Sequence, residues 1–319
     1  MTIAWVIGSH GLLGAAIVRT LRRHGTSAFS PAERLAWGQQ ADLEIQLEAA
    51  VLAFADCVRS SHSWEVYWAA GVGTMGSSES DLRLETWALE ALLRLVQANP
   101  VLKAKPGSLA FSSSAGAIYA GSRVEVIDET VPVAPTTPYA RSKLTQEELV
   151  RTFARNNGQV RVLLARLTTI YGPGQATGKQ QGLLAHIARC IVRNHPIQIY
   201  VPFDTIRDYI CVTDAAASMV ANLRAIDDRS RILTKIIAAE QPTTIAEIIS
   251  VFKRLTRRAP RIVTSASVLS SLYSRRVQFH SVETPEVRLQ GRTTLLIGIA
   301  QVLAAERAAY ADCGPLLAR

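Results

Sequence analysis

The chain lacks most of what would mark a secreted, metal-bound or membrane-spanning protein. Only four cysteines occur in 319 residues, Cys57, Cys190, Cys211 and Cys313, and none stand in a Cys-x-x-Cys pair. They read as reduced packing residues, and a cytoplasmic location is expected. The six histidines form neither His-x-His nor His-Glu-x-x-His, so no metal site is expected. No apolar run reaches the ~18 residues of a membrane span. The most apolar late stretch, 294–305, contains Gln301 and is followed by Glu306, and reads as a packed helix. The first strand is read from Ile3 onward, so no secretory leader is expected. Acids are also in short supply: 26 against 35 Lys+Arg, a net charge of +9. The arginines are scattered, with pairs only at Arg22-Arg23, Arg257-Arg258 and Arg275-Arg276, and no aromatic residues interleave with them. Nucleic acid is therefore not expected as a partner. A positive cleft for a nucleotide diphosphate, with solvated helix faces, accounts for the charge.

What is present is an apolar content of 48%, enough for a substantial core, in a strict alternation of strand and helix. Ile3 to Ile7 is a short apolar run of the kind found in buried parallel strands. Gly8-Ser9-His10-Gly11-Leu12-Leu13-Gly14 follows at once, and 15–24 reads as a helix with Ile17, Val18 and Leu21 on its apolar stripe. Strand, glycine turn and helix together set backbone N–H groups and a helix N-terminus against a pyrophosphate. The spacing is G-x-x-G-x-x-G rather than G-x-G-x-x-G. Further strands are expected at 27–30, 66–71, 108–111 and 160–165, with helices over 44–58, 81–98, 139–156 and 183–193. Such alternation predicts a Rossmann-type, doubly wound parallel sheet, with the first strand at its centre and active residues at the C-terminal strand ends.

The run Ser112-Ser113-Ser114 lies at one such end, and Tyr139-Ala140-Arg141-Ser142-Lys143 follows on the next long helix. Residues four apart on a helix share a face, so the phenol and the ammonium point into the same space. An ammonium that close favours the phenolate, which suits general acid–base work near neutral pH. Taken alone, Tyr-x-x-x-Lys occurs by chance on many helices; the glycine turn and the serines give it context.

In this order, the glycine turn, the serine run and Tyr139/Lys143 resemble the extended short-chain dehydrogenase/reductase superfamily. Arg166-Leu167-Thr168-Thr169-Ile170-Tyr171-Gly172-Pro173-Gly174-Gln175 and Arg207-Asp208-Tyr209-Ile210-Cys211-Val212-Thr213-Asp214 are similar to segments of its NAD-dependent epimerase/dehydratase family, the nucleotide-sugar epimerases and dehydratases. The resemblance implies a dinucleotide-binding Rossmann domain over 1–172, with a returning segment near 206–228. It also implies a smaller C-terminal α/β substrate domain, mainly 173–319. Ser114, Tyr139 and Lys143 would be catalytic. Gly8, Gly11, Leu12, Leu13, Gly14, Arg34, Asp42, Leu43, Ala69, Ala70, Gly71, Ser112, Tyr139 and Lys143 would hold the cofactor, and Ser113, Thr169 and Arg207 the substrate.

Three departures from the family pattern stand out. The second strand ends Ser30-Pro31-Ala32-Glu33-Arg34, without an acid at the position where NAD users hold the adenosine ribose. Arg34 suits a 2′-phosphate, so the choice between NAD and NADP is open with a lean to NADP. Thr169 stands where an Asn is usual. Ala115-Gly116 replace the acids of the 4,6-dehydratases, which argues against dehydration and leaves epimerase or reductase. The expected partner is a nucleotide sugar. A reductase of a non-nucleotide ketone or aldehyde, or a non-catalytic dinucleotide sensor, are the other readings. A homodimer through the helices over 81–98 and 139–156 is expected, because Leu82, Leu89, Leu92, Leu93 and Val96 exceed what one sheet face needs.

Overall fold

The computed structural model describes residues 1–71, 73–175, 182–264, 277–284, 287 and 291–312. Residues 176–181 and Cys313 lie outside them. From the N-terminus, β1 (Thr2–Ile7) leads to α1 (Leu12–Arg23), β2 (Ser27–Phe29), α2 (Gln40–Arg59), β3 (Ser63–Trp68), α3 (Glu79–Ala98), α4 (Pro100–Lys103) and β4 (Gly107–Ser114). Then come α5 (Ala115–Ile118), β5 (Val126–Ile127), α6 (Pro138–Asn156), β6 (Val160–Leu167), β7 (Thr169–Tyr171), α7 (Leu183–Val192), β8 (Ile197–Ile199) and β9 (Ile206–Cys211). The chain continues through α8 (Val212–Ala225), β10 (Ile232–Ile237), β11 (Pro242–Thr244), α9 (Ile245–Thr256), β12 (Ile262–Thr264), β13 (Gln278–Phe279) and α10 (Leu295–Asp312).

Six strands form one sheet in the order β10-β6-β4-β3-β1-β2, and every neighbouring pair is parallel. Crossover helices cover both faces, as a parallel sheet requires. One face buries Trp5, Val66, Leu109, Phe111 and Leu164 beneath residues of α2, α3 and α6. The other buries Val6, Tyr67, Ala110 and Leu163 beneath α1 and α8. Aromatics are few, yet Trp5, Trp64 and Trp68 are all fully buried here. α8 and β10 therefore bring the late chain back to the large sheet, and the return extends past residue 228 to Ile237.

β1 is interior but second from one edge, not central, because no strand forms between Phe29 and Gln40. That stretch holds Pro31 and Gly38 and no alternating apolar run, so it cannot extend the ladder beyond β2. The remaining strands make a three-stranded sheet β11-β9-β7 and the pairs β12-β8 and β13-β5. α7, α9 and α10 close over a separate apolar cluster that includes Ile187, Ile248, Phe252 and Ile299.

Asp208 on β9 ties these parts together. Its carboxylate accepts from Thr168 Oγ1 at 2.6 Å, Ala239 N at 2.8 Å and Gln241 N at 3.0 Å, and so joins the ends of β6, β9 and β10. Burial pushes this carboxyl up, and those donors only partly offset the burial. A second clip holds the segment around β13 to the sheet edge at β10. Glu129 accepts from Ile236 N at 2.7 Å, Ser281 Oγ at 2.6 Å and Val282 N at 2.9 Å. Lys235, buried on β10, donates to Ser281 Oγ at 3.0 Å and to the Glu283 carbonyl.

The five α3 residues read as surplus apolar surface are all buried in the monomer: Leu89, Leu92, Leu93 and Val96 pack beneath the chain's own sheet and neighbouring helices, and Leu82 packs beside Gly73. The large sheet has room for them because α3 lies between α2 and α6.

Candidate active site

The glycine turn has the geometry its spacing promised. Gly8 has φ +87°, and a Cβ there would come within 2.7 Å of Ala70 N and 2.8 Å of the Ala69 carbonyl carbon. Only glycine combines that backbone angle with so close a neighbour. A methyl on Gly14 would overlap the Gly8 carbonyl, so α1 docks against the turn at backbone distance. Gly11 caps α1, and its N–H donates to Gly8 O at 2.9 Å. Leu13 is buried and Leu12 half-buried against the α1/α8 core. The turn thus meets Ala69 and Ala70 just past the C-terminal end of β3, while Gly71 faces the Glu85 carboxylate.

Ser112, Ser113 and Ser114 end β4. Alternation along the strand sends Ser113 the other way from its neighbours. It donates to Glu147 Oε1 at 2.6 Å, within a buried network where Arg166 grips both Glu147 oxygens at 3.0 and 2.8 Å and reaches Tyr119 at 2.5 Å. Ser113 is thereby committed to the protein's own interior. The Ser112 hydroxyl and Trp68 Nε1 are buried without a hydrogen-bond partner among the described residues, at the ends of β4 and β3. Orphaned donors of this kind are uncommon in native interiors. Together with a cradle that excludes any Cβ, the Ser112 hydroxyl fits a polar ligand of dinucleotide shape lying across the strand ends, whereas Trp68 pairs with Phe111 and packs on the opposite face among α2, α3 and α6.

α6 carries Tyr139 and Lys143. Thr137 caps it, accepting from Ala140 N at 3.2 Å, and Pro138 fills its first turn. The Lys143 ammonium lies 5.7 Å from the centroid of the Tyr139 ring and 5.3 Å from that of Phe111. The anchor of Lys143 lies on another helix, outside the Tyr-x-x-x-Lys spacing. Lys143 Nζ donates to Glu85 Oε1 of α3 at 2.7 Å and to Gln146 Oε1 at 3.0 Å. Glu85 Oε2 accepts from Gly73 N at 3.2 Å. Burial alone would push Lys143 down, but the Glu85 carboxylate overrides it and holds the ammonium above its ordinary range. Burial likewise works against a charged Glu85, and Lys143 with its hydrogen bond turns the balance, leaving the carboxyl below its usual value. One signal was available: Glu85 sits in the stripe Leu82–Leu89–Leu92–Val96, where every other member is apolar and buried.

The remaining expected residues are more dispersed. Arg34 is exposed in the segment between β2 and α2. Asp42 is exposed in the first turn of α2, where an acid suits the helix dipole, and Leu43 is fully buried in the core. Thr169 pairs with Tyr209, two residues from Arg207, which places Thr169 and Arg207 on one face of the small β11-β9-β7 sheet. Among the described residues no cluster of His, Cys, Asp and Glu could hold a metal. No described helix is long and apolar enough to cross a membrane.

A parallel sheet with this glycine turn defines a dinucleotide-binding α/β protein. The profile of the NAD dependent epimerase/dehydratase family matches residues 4–233, and the chain belongs to that family. A putative UDP-glucose 4-epimerase of Methanocaldococcus jannaschii is 27% identical over 145 residues, 46% of each chain. The matched region thus spans about half the length of that relative. Among solved structures, the UDP-glucose 4-epimerase of Thermotoga maritima with UDP-glucose aligns over 97% of this chain and 100% of its own, with TM-score 0.80 and 20% identity. The Pseudomonas aeruginosa protein RMD complexed with NADPH aligns over the same shares, with TM-score 0.77 and 19% identity. At these identities the two structures establish the shared fold.

Proposed function

We propose that the chain is an NAD(P)-dependent epimerase or ketoreductase of a nucleotide sugar, with Tyr139 as its proton-transfer group. One observation carries the reading. Tyr139 and a buried, charged Lys143 share a face of α6, with the ammonium 5.7 Å from the ring centroid, beside strand ends that bear Ser114 and the glycine turn. Gly8, Gly11 and Gly14 and the N-terminus of α1 hold the diphosphate of NAD or NADP. The dinucleotide, when bound, supplies the hydride acceptor or donor. Tyr139 takes the proton of a sugar hydroxyl as that carbon becomes a carbonyl, or returns one to the oxygen in the reverse direction. Ser114 donates a hydrogen bond to the same oxygen. Lys143 fixes a positive charge beside the phenol.

The lobe built mainly after residue 172 receives the sugar nucleotide, with Thr169 and Arg207 on its small sheet. The matched family and the relatives' names support a nucleotide sugar. Arg34 supports NADP, and the NADPH complex of RMD is consistent with it. A homodimer through α3 and α6 belongs to the same proposal. A non-catalytic sensor would have no use for a half-buried Tyr139 beside the buried Lys143.

The test is a panel of UDP-, dTDP- and GDP-sugars scored by thermal shift with NAD and with NADP, followed by turnover of whatever binds. Stabilisation by a nucleotide sugar together with a dinucleotide is expected. Turnover of a simple ketone with no response to any nucleotide sugar would overturn the assignment.

A further inference from the structure

The Tyr139–Lys143 couple has a third member on another helix. Glu85 comes from α3, 58 residues before Lys143, and its carboxylate is buried 2.7 Å from the ammonium. Its second oxygen takes Gly73 N in the segment after β3. A Cβ on Gly73 would lie 3.1 Å from Tyr139 Cδ2 and 3.2 Å from Glu85 Oε2, so this one loop touches both ring and carboxylate. Gln146 completes the setting: its Oε1 accepts from Lys143 at 3.0 Å, and its Nε2 donates to Thr86 Oγ1 at 3.1 Å on α3.

We propose that Glu85 is a positioning residue of this site: its buried carboxylate anchors the Lys143 ammonium beside Tyr139 and keeps it charged where burial alone would neutralise it. The proposal deepens the reading of Tyr139 as the proton-transfer group and rests on it for its catalytic meaning. Other charges near Lys143 do not substitute for Glu85. Glu147, on α6, is taken up by Arg166 of β6 at 2.8 Å and by Arg151 at 3.7 Å. β4 offers only the Phe111 ring, and α5 carries no ionisable side chain. Tyr139 presents its phenol ring, with the ammonium 5.7 Å from its centroid. Without Glu85, Lys143 would be a buried lysine with no free counter-ion, and such lysines fall by as much as ~3–5 pH units. Lys143 would then lose its proton within the neutral range.

The experiment follows Lys143 directly. Lysine is labelled with carbon-13 at its Cε, and the Lys143 resonance, identified by its loss in Lys143→Arg, is titrated in the parent and in Glu85→Gln. The parent resonance should titrate above the ordinary lysine range, and the Glu85→Gln resonance several units lower. Dinucleotide affinity by calorimetry should stay level in the parent and weaken in Glu85→Gln as the pH rises through neutrality. An unmoved Lys143 titration overturns the proposal. If Glu85→Gln does not fold, Glu85→Asp takes its place. That variant keeps the charge but withdraws it by one methylene, so Lys143 should still titrate high while dinucleotide affinity drops; parent-like affinity overturns the anchoring role. None of these measurements needs a sugar substrate. An inactive chain can therefore pass them and an active one can fail, which separates this inference from the proposed reaction.

Discussion

Tyr139, Lys143 and Ser114 differ in what their removal should do. Tyr139→Phe keeps the ring and deletes the proton, so turnover should fall by ~10²–10⁴-fold with an unchanged melting temperature. Ser114→Ala should lower turnover while leaving dinucleotide affinity almost intact. Lys143→Ala has a further effect that the Tyr-x-x-x-Lys spacing did not foretell. It strands a buried carboxylate, and breaking such a pair from one side typically destabilises by ~3–5 kcal/mol. Its melting point should therefore drop well below that of Tyr139→Phe; equal melting points would mean that the ion pair is not formed.

The same pair sets a pH dependence. Glu85 is held below its ordinary value of 4.5, so its contribution to stability is present above that value and is lost as pH falls through the folded-state value. Lys143 is raised above 10.5, so its share is complete below that value and is lost only as pH rises past it. Thermal unfolding of the parent minus that of Glu85→Gln/Lys143→Met should give a difference that is flat across neutral pH and shrinks below the carboxylate range. A difference that does not shrink in acid would show that Glu85 is not ionised in the fold.

At the scale of elements, helix and turn boundaries were legible wherever the signal was local. Gly8, Gly11 and Gly14 announced the turn. Thr137-Pro138 and Ser78 mark the starts of α6 and α3, and both side chains cap as such residues do. What was not legible depended on contacts between distant segments. Glu85 acquires its role only because α3 packs against α6. The two- and three-residue strands β5, β8 and β11 to β13 are too short for period-two patterning to show. The segment after Phe29 looked able to carry cofactor contacts through Arg34, Asp42 and Leu43, yet Leu43 is sealed in the core.

α3 shows how burial reassigns a sequence signal. Most of its apolar surplus faces inward, but Leu93 also lines the groove that α3 forms outside with α6, together with Leu149 and Phe153, inside a rim of Glu90, Arg94, Gln97, Thr145 and Glu148. The homodimer proposed through this face would cover Leu93, Leu149 and Phe153 of both copies inside charged rims. Only the rim contacts are screened by salt. Light scattering should show the mass of two chains at low ionic strength. A single-chain mass already at low salt would remove the homodimer.

At the scale of the whole molecule, Glu129 gathers two backbone N–H groups and one hydroxyl from β10 and the segment after β13. Each donor left unsatisfied in a buried setting costs ~1–3 kcal/mol. Glu129→Ala should lower unfolding stability by that order while dinucleotide affinity is unchanged, since the glycine turn lies at the other side of the sheet. A parallel loss of affinity would mean that the two ends of the sheet are coupled.

The position of β10 also bears on how the molecule comes into being. β10 is the outermost strand beside β6, yet the ribosome must first deliver the whole of 168–231. Until then the nascent chain presents the open edge of β6, with Val162, Leu163, Leu164 and Ala165 all destined for the interior. An unpaired, apolar strand edge is a template for pairing with other chains. A fragment released before Ile232 should aggregate, and the time between synthesis of β6 and arrival of β10 is when a chaperone would have most to protect.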